Sequence, residues 1–173
     1  MGFFELIETR HSVRAFRDKA VDWQTIRRII AAADLAPSAG DLQAFHVVVV
    51  ERGQTKAALA AAALGQDFIA AAPVALVFFA DPARSQAKYA QRGASLFCIQ
   101  DATIAAAYTQ LAAAELGLAS CWVGAFREQP VAEALAAPSG LRPVAIIALG
   151  YPAEAPHRPP RRPLESLYRR ESF

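Results

Sequence analysis

The chain has 173 residues, of which 54% are apolar and 20% charged, and a net charge of +2. That length suits one domain with a continuous core, and so small a net charge makes no general case for nucleic acid. The longest uninterrupted apolar stretch, residues 68–80, contains Pro73 and is too short to span a bilayer, so no membrane segment is expected. The excess of apolar over charged residues suggests that a partner subunit covers part of the surface. No basic, apolar and cleavage-site leader opens the chain, and a cytoplasmic location is expected.

Phe3, Phe4, Leu6 and Ile7 fit the apolar face of a short opening helix. Next comes Arg10-His11-Ser12-Val13-Arg14, which in an extended conformation projects Arg10, Ser12 and Arg14 to one side along about 13 Å of backbone. A guanidinium at each end can bind a phosphate or a carbonyl edge by paired charge-assisted hydrogen bonds, and the hydroxyl between them can reach a ribose or ribityl chain. The same residues also fit a solvated basic strand. Asp22 can cap a second helix whose Ile26, Ile29, Ile30 and Ala33 recur at helical spacing, and Pro37 stops it. Pro37-Ser38-Ala39-Gly40-Asp41-Leu42-Gln43 then offers small residues whose backbone can lie against a flat ring.

Residues 47–50 read as a strand buried on both faces, 54–64 as an alanine-rich helix and 74–79 as the next buried strand. A stretch without proline, residues 85–116, reads as one long helix with Gly117 placed to end it. Its Ala102, Ala105, Ala106, Ala107, Ala112, Ala113 and Ala114 fit either a plain core helix or close pairing with a second copy. Gln100 and Asp101 interrupt the apolar run and are expected to satisfy buried partners or an interface rather than to do chemistry. Residues 121–124 are expected in a loop, Pro130 suits the first turn of a short helix over 131–136, and 144–149 form a last core strand. Strands separated by helices give an α/β or α+β layer sandwich, and no Gly-x-Gly-x-x-Gly follows any strand, which disfavours a dinucleotide-binding unit.

Cys98 and Cys121 lie far apart, and His11, His46 and His157 show no ligand spacing, so no metal site is expected. Cys98 reads as a packed thiol, and Cys121 falls in the loop. Arg158, Arg161, Arg162, Arg169 and Arg170 crowd the C-terminus. With little aromatic interleaving and no helical amphipathicity there, one arginine committed to a phosphate and the others solvated is the simpler account.

Taken together, Arg-x-Ser-x-Arg-x-Phe from Arg10 to Phe16, a helix, residues 36–43 and then a buried strand resemble the nitroreductase family of FMN-dependent oxidoreductases. Gln66-x-Phe68-Ile69 leading into Ala72-Pro73-Val74 is similar to that family in the same order. So are Gly117-Leu-Ala-Ser-Cys-Trp-Val-Gly-Ala-Phe126, and Gly150-Tyr151-Pro152 followed by Arg161-Arg162-Pro163-Leu164-Glu165.

The resemblance implies a central sheet flanked by helices in an intertwined homodimer. Residues 1–151 would form the FMN-binding domain and 152–173 an extension crossing to the partner. It implies FMN as cofactor, NADH or NADPH as reductant, and no nucleic acid or membrane partner. Arg10, Ser12 and Arg14 would bind the phosphate, ribityl chain and pyrimidine edge, with His11 at a backbone-contact position. Pro37, Ser38 and Ala39 would come from the other subunit and line the ring, in a motif completed by Asp41 and Gln43. Gln66 would read the polar end of the ring, and Arg161 would pair with the phosphate. The backbone of Trp122, Val123 and Gly124 would approach flavin N5, although Trp122 reads equally as a core anchor.

No side chain stands out as an obligatory acid or base, as expected where the cofactor carries the chemistry. Arg10 or Arg14 is the candidate cation near N1 and O2, where it would favour the reduced ring. Asp41 departs from the asparagine common at its position, and it could pair with an arginine, cap a turn or lower the flavin potential. The implied activity is ping-pong transfer of hydride from NAD(P)H, by way of N5, to a small acceptor such as a nitroaromatic or a quinone. Relatives of the same fold that fragment the flavin or remove halogen reductively are an alternative, and a non-catalytic flavin-binding sensor or carrier is another.

Overall fold

The computed structural model describes residues 2–155 and 157–173. The opening helix, α1 (Phe3–Thr9), leaves Phe3 and Phe4 exposed. In α2 (Trp23–Asp34), Asp22 caps the first turn by accepting the Thr25 N–H at 2.9 Å, and Ile26, Ile29 and Ala33 form the buried stripe that their spacing predicts.

One sheet contains β1 (Phe45–Val50), β2 (Val74–Ala80), β3 (Ala119–Val123) and β4 (Arg142–Gly150), in the order β1-β2-β4-β3. Every pairing is antiparallel, so of the two architectures open to the sequence the fold is the α+β sandwich. The central strands β2 and β4 are covered on both faces. Leu76, Phe78, Ile147 and Leu149 face α2 and the long helix α6 (Cys98–Glu115). Val77, Phe79 and Ile146 face α3 (Gly53–Ala62), α4 (Phe68–Ala71) and α7 (Glu128–Ala134), where Leu59, Ile69 and Val131 meet them. Each fully buried side chain of this size contributes roughly 1.5–3 kcal/mol, and this double layer is why both strands read as unbroken apolar runs.

Three expectations change. β1 is an edge strand with His46 exposed and its valines mostly half-buried, rather than a strand covered on both faces, because it pairs on one side only. Residues 121–123 belong to the strand over 119–123 and not to a loop; the glycine and small residues around them hid a core position beside β4. The long helix is broken: α5 (Pro82–Arg92) starts at Pro82, capped by Asp81, and loses helical geometry at Tyr89 and Ala90 before a π turn over Gly93–Phe97. A Cβ at Gly93 would collide with the Ser85 carbonyl, so this glycine lets the two segments fold together. At the other end of α6, Gly117 takes φ +73° and stops the helix as expected.

The segment after α1 is extended and covers the outer edge of β3. The Val13 N–H donates to the Ser120 carbonyl at 3.1 Å, and Phe16 bridges to Pro152 beyond β4. Val13 is buried, so Ser12 and Arg14 turn outward. Residues 151–154 close over this segment through Arg17 N–H to the Tyr151 carbonyl at 2.8 Å and Ala153 N–H to the Ala15 carbonyl at 2.9 Å. Residues 157–173 lie exposed, including Leu164, Leu167, Tyr168 and Phe173. Among the described residues no helix is long and apolar enough to cross a membrane.

Candidate active site

The extended segment, β3, α6 and the strap after β4 converge on a cavity of about 620 Å³. Arg10, His11, Ser12, Arg14, Trp122 and Arg161 all line it, so six of the residues singled out in the sequence meet in one place, one of them from far along the chain. Arg158 adds a fourth guanidinium. Glu154 is the one carboxylate, and it is already engaged: its Oε1 accepts the backbone N–H groups of Arg14 and Ala15. These two donors hold the Glu154 carboxyl below its ordinary value. The net positive cleft suits an anionic group, and its volume falls in the range of ligand pockets. His11 lines the same cavity, and its Nδ1 lies 2.7 Å from the Thr9 carbonyl oxygen.

Sequence reasoning did not assign Gln110 or Glu154 to this site. Gln110 is buried on α6, donates through Nε2 to Ser120 Oγ at 3.1 Å, and reaches the cavity floor. An amide on the buried face of an alanine-rich helix was the available signal. Trp122 lines the cavity and also packs against the core cluster of α2 and α6, as a core anchor would.

The remaining predicted residues lie elsewhere on the protomer. Pro37, Ser38 and Ala39 line a second cavity of about 490 Å³, walled by Phe97, Ile99 and Ile104 and by the buried carboxylate of Asp101. Asp101 satisfies backbone donors, the N–H groups of Ala39 and Ala44, as expected for a polar residue in that helix. Ser38 Oγ accepts the Gln43 N–H at 2.9 Å, and Gln43 Nε2 turns back to Asp34. Gln43 therefore stabilises the loop and does not line either cavity. Asp41 is exposed at φ +58°, and among the described residues no arginine lies within ion-pair distance of it.

Gly124 lines a third, smaller cavity of about 210 Å³ with Ile99 and the Arg142–Glu128 ion pair. Val123 is buried at the end of β3, where it pairs with Ile146. Gln66 lines none of the three cavities; its Nε2 donates to the carbonyls of Ala63 at 2.9 Å and Ala125 at 3.1 Å, anchoring the turn that follows Gly124. Burial pushes the Cys121 thiol up, and Cys98 likewise, so both are packed, protonated sulfurs. Among the described residues no group of three or more His, Cys, Asp or Glu could hold a metal.

The donor set fits a flavin mononucleotide: guanidiniums for a phosphate, hydroxyl and amide groups for a polyol, and a separate small-residue surface for an apolar ring. Comparison with known proteins points the same way. A sequence profile described as the nitroreductase family matches residues 7–66 and 54–151. An NADH dehydrogenase of Thermus thermophilus is 33% identical over 91% of this chain and 90% of its own length. An NAD(P)H-type FMN reductase of Bacillus subtilis is 31% identical over 94% of this chain and 70% of its own length. The crystal structure of a nitroreductase family protein from Streptococcus pneumoniae superposes with a TM-score of 0.90 at 27% identity, over 98% of this chain and 100% of the other.

Proposed function

This chain belongs to the nitroreductase family and is an NAD(P)H-dependent oxidoreductase that uses FMN; from that premise we propose that two copies build each active site and pass electrons to a small acceptor such as a nitroaromatic or a quinone. The observation that carries the reading is the convergence of Arg10, Ser12 and Arg14 with Arg161, about 150 residues later in the chain, on one cation-lined cleft. Bound FMN would supply the redox chemistry between the nicotinamide and the acceptor, in the ping-pong order that the family resemblance implies.

The residues of this chain bind and orient. Arg10 and Arg161 hold the phosphate, Ser12 and Gln110 offer polar contacts to the ribityl chain, and Arg14 is the cation at the pyrimidine edge. Trp122 walls the cleft, and the backbone N–H groups of Val123 and Gly124 face the hydride-accepting edge. Pro37, Ser38 and Ala39 belong to a cavity that shares no lining residue with the arginine cleft. In our reading they therefore serve the ring held by the partner copy.

The exposed Leu164, Leu167, Tyr168 and Phe173 support the same assembly. In our reading residues 152–173 extend from the domain formed by 1–151: residues 152–154 dock on their own chain, and the exposed apolar side chains from Leu164 onward are stabilised by lying across a second copy.

The test is spectral. Purified protein is expected to carry flavin absorbance, to bleach on anaerobic addition of NADH or NADPH, and to recover its colour on addition of a quinone or nitroaromatic. A yellow protein that neither nicotinamide bleaches would make it a flavin carrier instead. Protein that stays colourless with added FMN would end the reading.

A further inference from the structure

Asp101 stands in the first turn of α6 and is 2% exposed. Its Oδ1 accepts the Ala39 N–H at 2.9 Å, and its Oδ2 lies 3.4 Å from the Ala44 nitrogen, which donates to it. Among the described residues no cation lies within ion-pair distance. A buried carboxylate whose partners are two backbone amides is an uncommon arrangement, since burying charge is costly unless hydrogen bonds or an opposite charge offset it. Asparagine would offer these two donors a single acceptor oxygen, so the loop is matched to a charged carboxylate, and that charge stands at the wall of the cavity.

The loop it holds is fixed from several sides. Gly40, Asp41 and Gln43 all take left-handed backbone conformations. Lys88 Nζ donates to the Gly40 carbonyl at 3.3 Å, and Arg84 Nε donates to that of Leu42. Of these holders outside the loop, Asp101 alone also lines the cavity formed by Pro37, Ser38 and Ala39. Its carboxylate cannot swing away, because both oxygens are engaged by the loop backbone.

We propose that Asp101 is a positioning residue that fixes the 37–44 loop and, through its buried negative charge, lowers the reduction potential of the flavin ring seated against that loop. The proposal rests on the FMN reading above. Reduction adds negative charge to the ring, and in a poorly screened interior a fixed carboxylate close by opposes that charge. The consequence is directional: a ring held at lower potential is a stronger donor to the acceptor that follows the nicotinamide. A purely structural Asp101 would fix the loop and leave the potential alone.

Two measurements separate these roles. In the protein without flavin, Asp101→Ala is expected to speed hydrogen exchange at the Ala39 and Ala44 amides severalfold, and unchanged exchange at both would overturn the positioning role. In FMN-loaded protein, spectroelectrochemical titration of Asp101→Asn is expected to give a more positive midpoint potential than the wild type. Gln100→Lys provides a second variant that spares the fold, because Gln100 is exposed and lines the same cavity; it too is expected to shift the potential upward. If Asp101→Asn does not retain flavin, Asp101→Ser, whose hydroxyl can still accept a loop N–H, is titrated in its place, and Gln100→Lys serves only to calibrate how strongly a charge on this wall moves the potential. FMN bound at unchanged potential in the Asp101 variant that loads would overturn this proposal and leave the functional reading standing, whereas a wild-type chain that binds no FMN would overturn both.

Discussion

The two larger cavities of the site differ in almost every physical respect. The cleft beside residues 10–14 is walled by four guanidiniums, two imidazoles and one engaged carboxylate. The cavity over residues 37–39 is walled by Phe97, Ile99 and Ile104, and its one ionisable side chain is a carboxylate. The first suits the anionic and hydroxylated half of FMN, the second its ring, and they have no lining residue in common. A ligand with two chemically unlike ends can thus be divided between two surfaces of one sequence, each completed by the other when two copies close around a twofold axis.

The strongest way to break this comparison is complementation. A chain with Arg10→Ala and Arg161→Ala together lacks the phosphate half, and one with Ala39→Trp has its ring cavity filled. Neither homodimer is expected to retain FMN, but each mixed dimer formed on reassembly has one intact site, so the reassembled population is expected to bind about half an FMN per dimer when the chains pair at random. Absence of bound flavin in the mixture would put both halves in a single copy.

Next in size, Arg10→Ala and Arg161→Ala are each expected to weaken FMN binding by about 1.5–3 kcal/mol, the loss of a charged hydrogen-bonding partner. Arg169→Ala is the control, because that guanidinium donates to the carbonyls of Glu165 and Tyr168 outside the cleft, and it should leave affinity within experimental error. Isothermal titration at two salt concentrations sharpens the contrast: the cleft variants should also reduce the salt dependence of binding. Ser38→Ala acts on the other cavity by removing the acceptor of the Gln43 N–H, and it is expected to cost about 1 kcal/mol of stability in urea melts with the salt dependence of FMN binding unchanged.

Of the arginine cleft, the shared face of Arg10, Ser12 and Arg14 was legible in strand periodicity, whereas Arg161, far along the chain, was placed only by the family resemblance. Val13 is buried between Ser12 and Arg14, as alternation requires. Gln110 and Glu154 were not legible, since each earns its place through a long-range hydrogen bond that no local pattern announces. In the fold, β2 and β4 showed themselves as unbroken apolar runs, whereas β1 carries the same valine run and stands at an edge. Composition reports how apolar a strand is and does not report which neighbours the topology gives it. The break at Ala90 escaped for a related reason: alanine is the best helix former, and only the packing of Gly93 against Ser85 forces it out of the helical region.

The smallest expected effect concerns the strap that closes over the arginine cleft. Glu154 joins residues 152–155 to the segment carrying Arg14 by accepting two backbone N–H groups, and these bonds hold its carboxyl below its ordinary value of 4.5. A carboxylate whose value is depressed on folding contributes stability that is complete above the unfolded value and lost as pH falls through the folded one. The docking of the strap is therefore full at neutral pH and weakens only in acid. Comparing urea midpoints at about pH 6 and about pH 3, the wild type should lose more stability than Glu154→Gln, whose amide keeps an acceptor but does not titrate. Asp22 is also held low, by Thr25, and contributes to acid sensitivity in both proteins, so the difference between the two pH profiles isolates Glu154. The apolar cavity contains no part of this strap, and FMN contacts assigned to residues 37–39 should be indifferent to the substitution. A variant whose flavin affinity falls with its acid sensitivity would link the strap to the arginine half alone, and equal profiles in both proteins would detach Glu154 from the site.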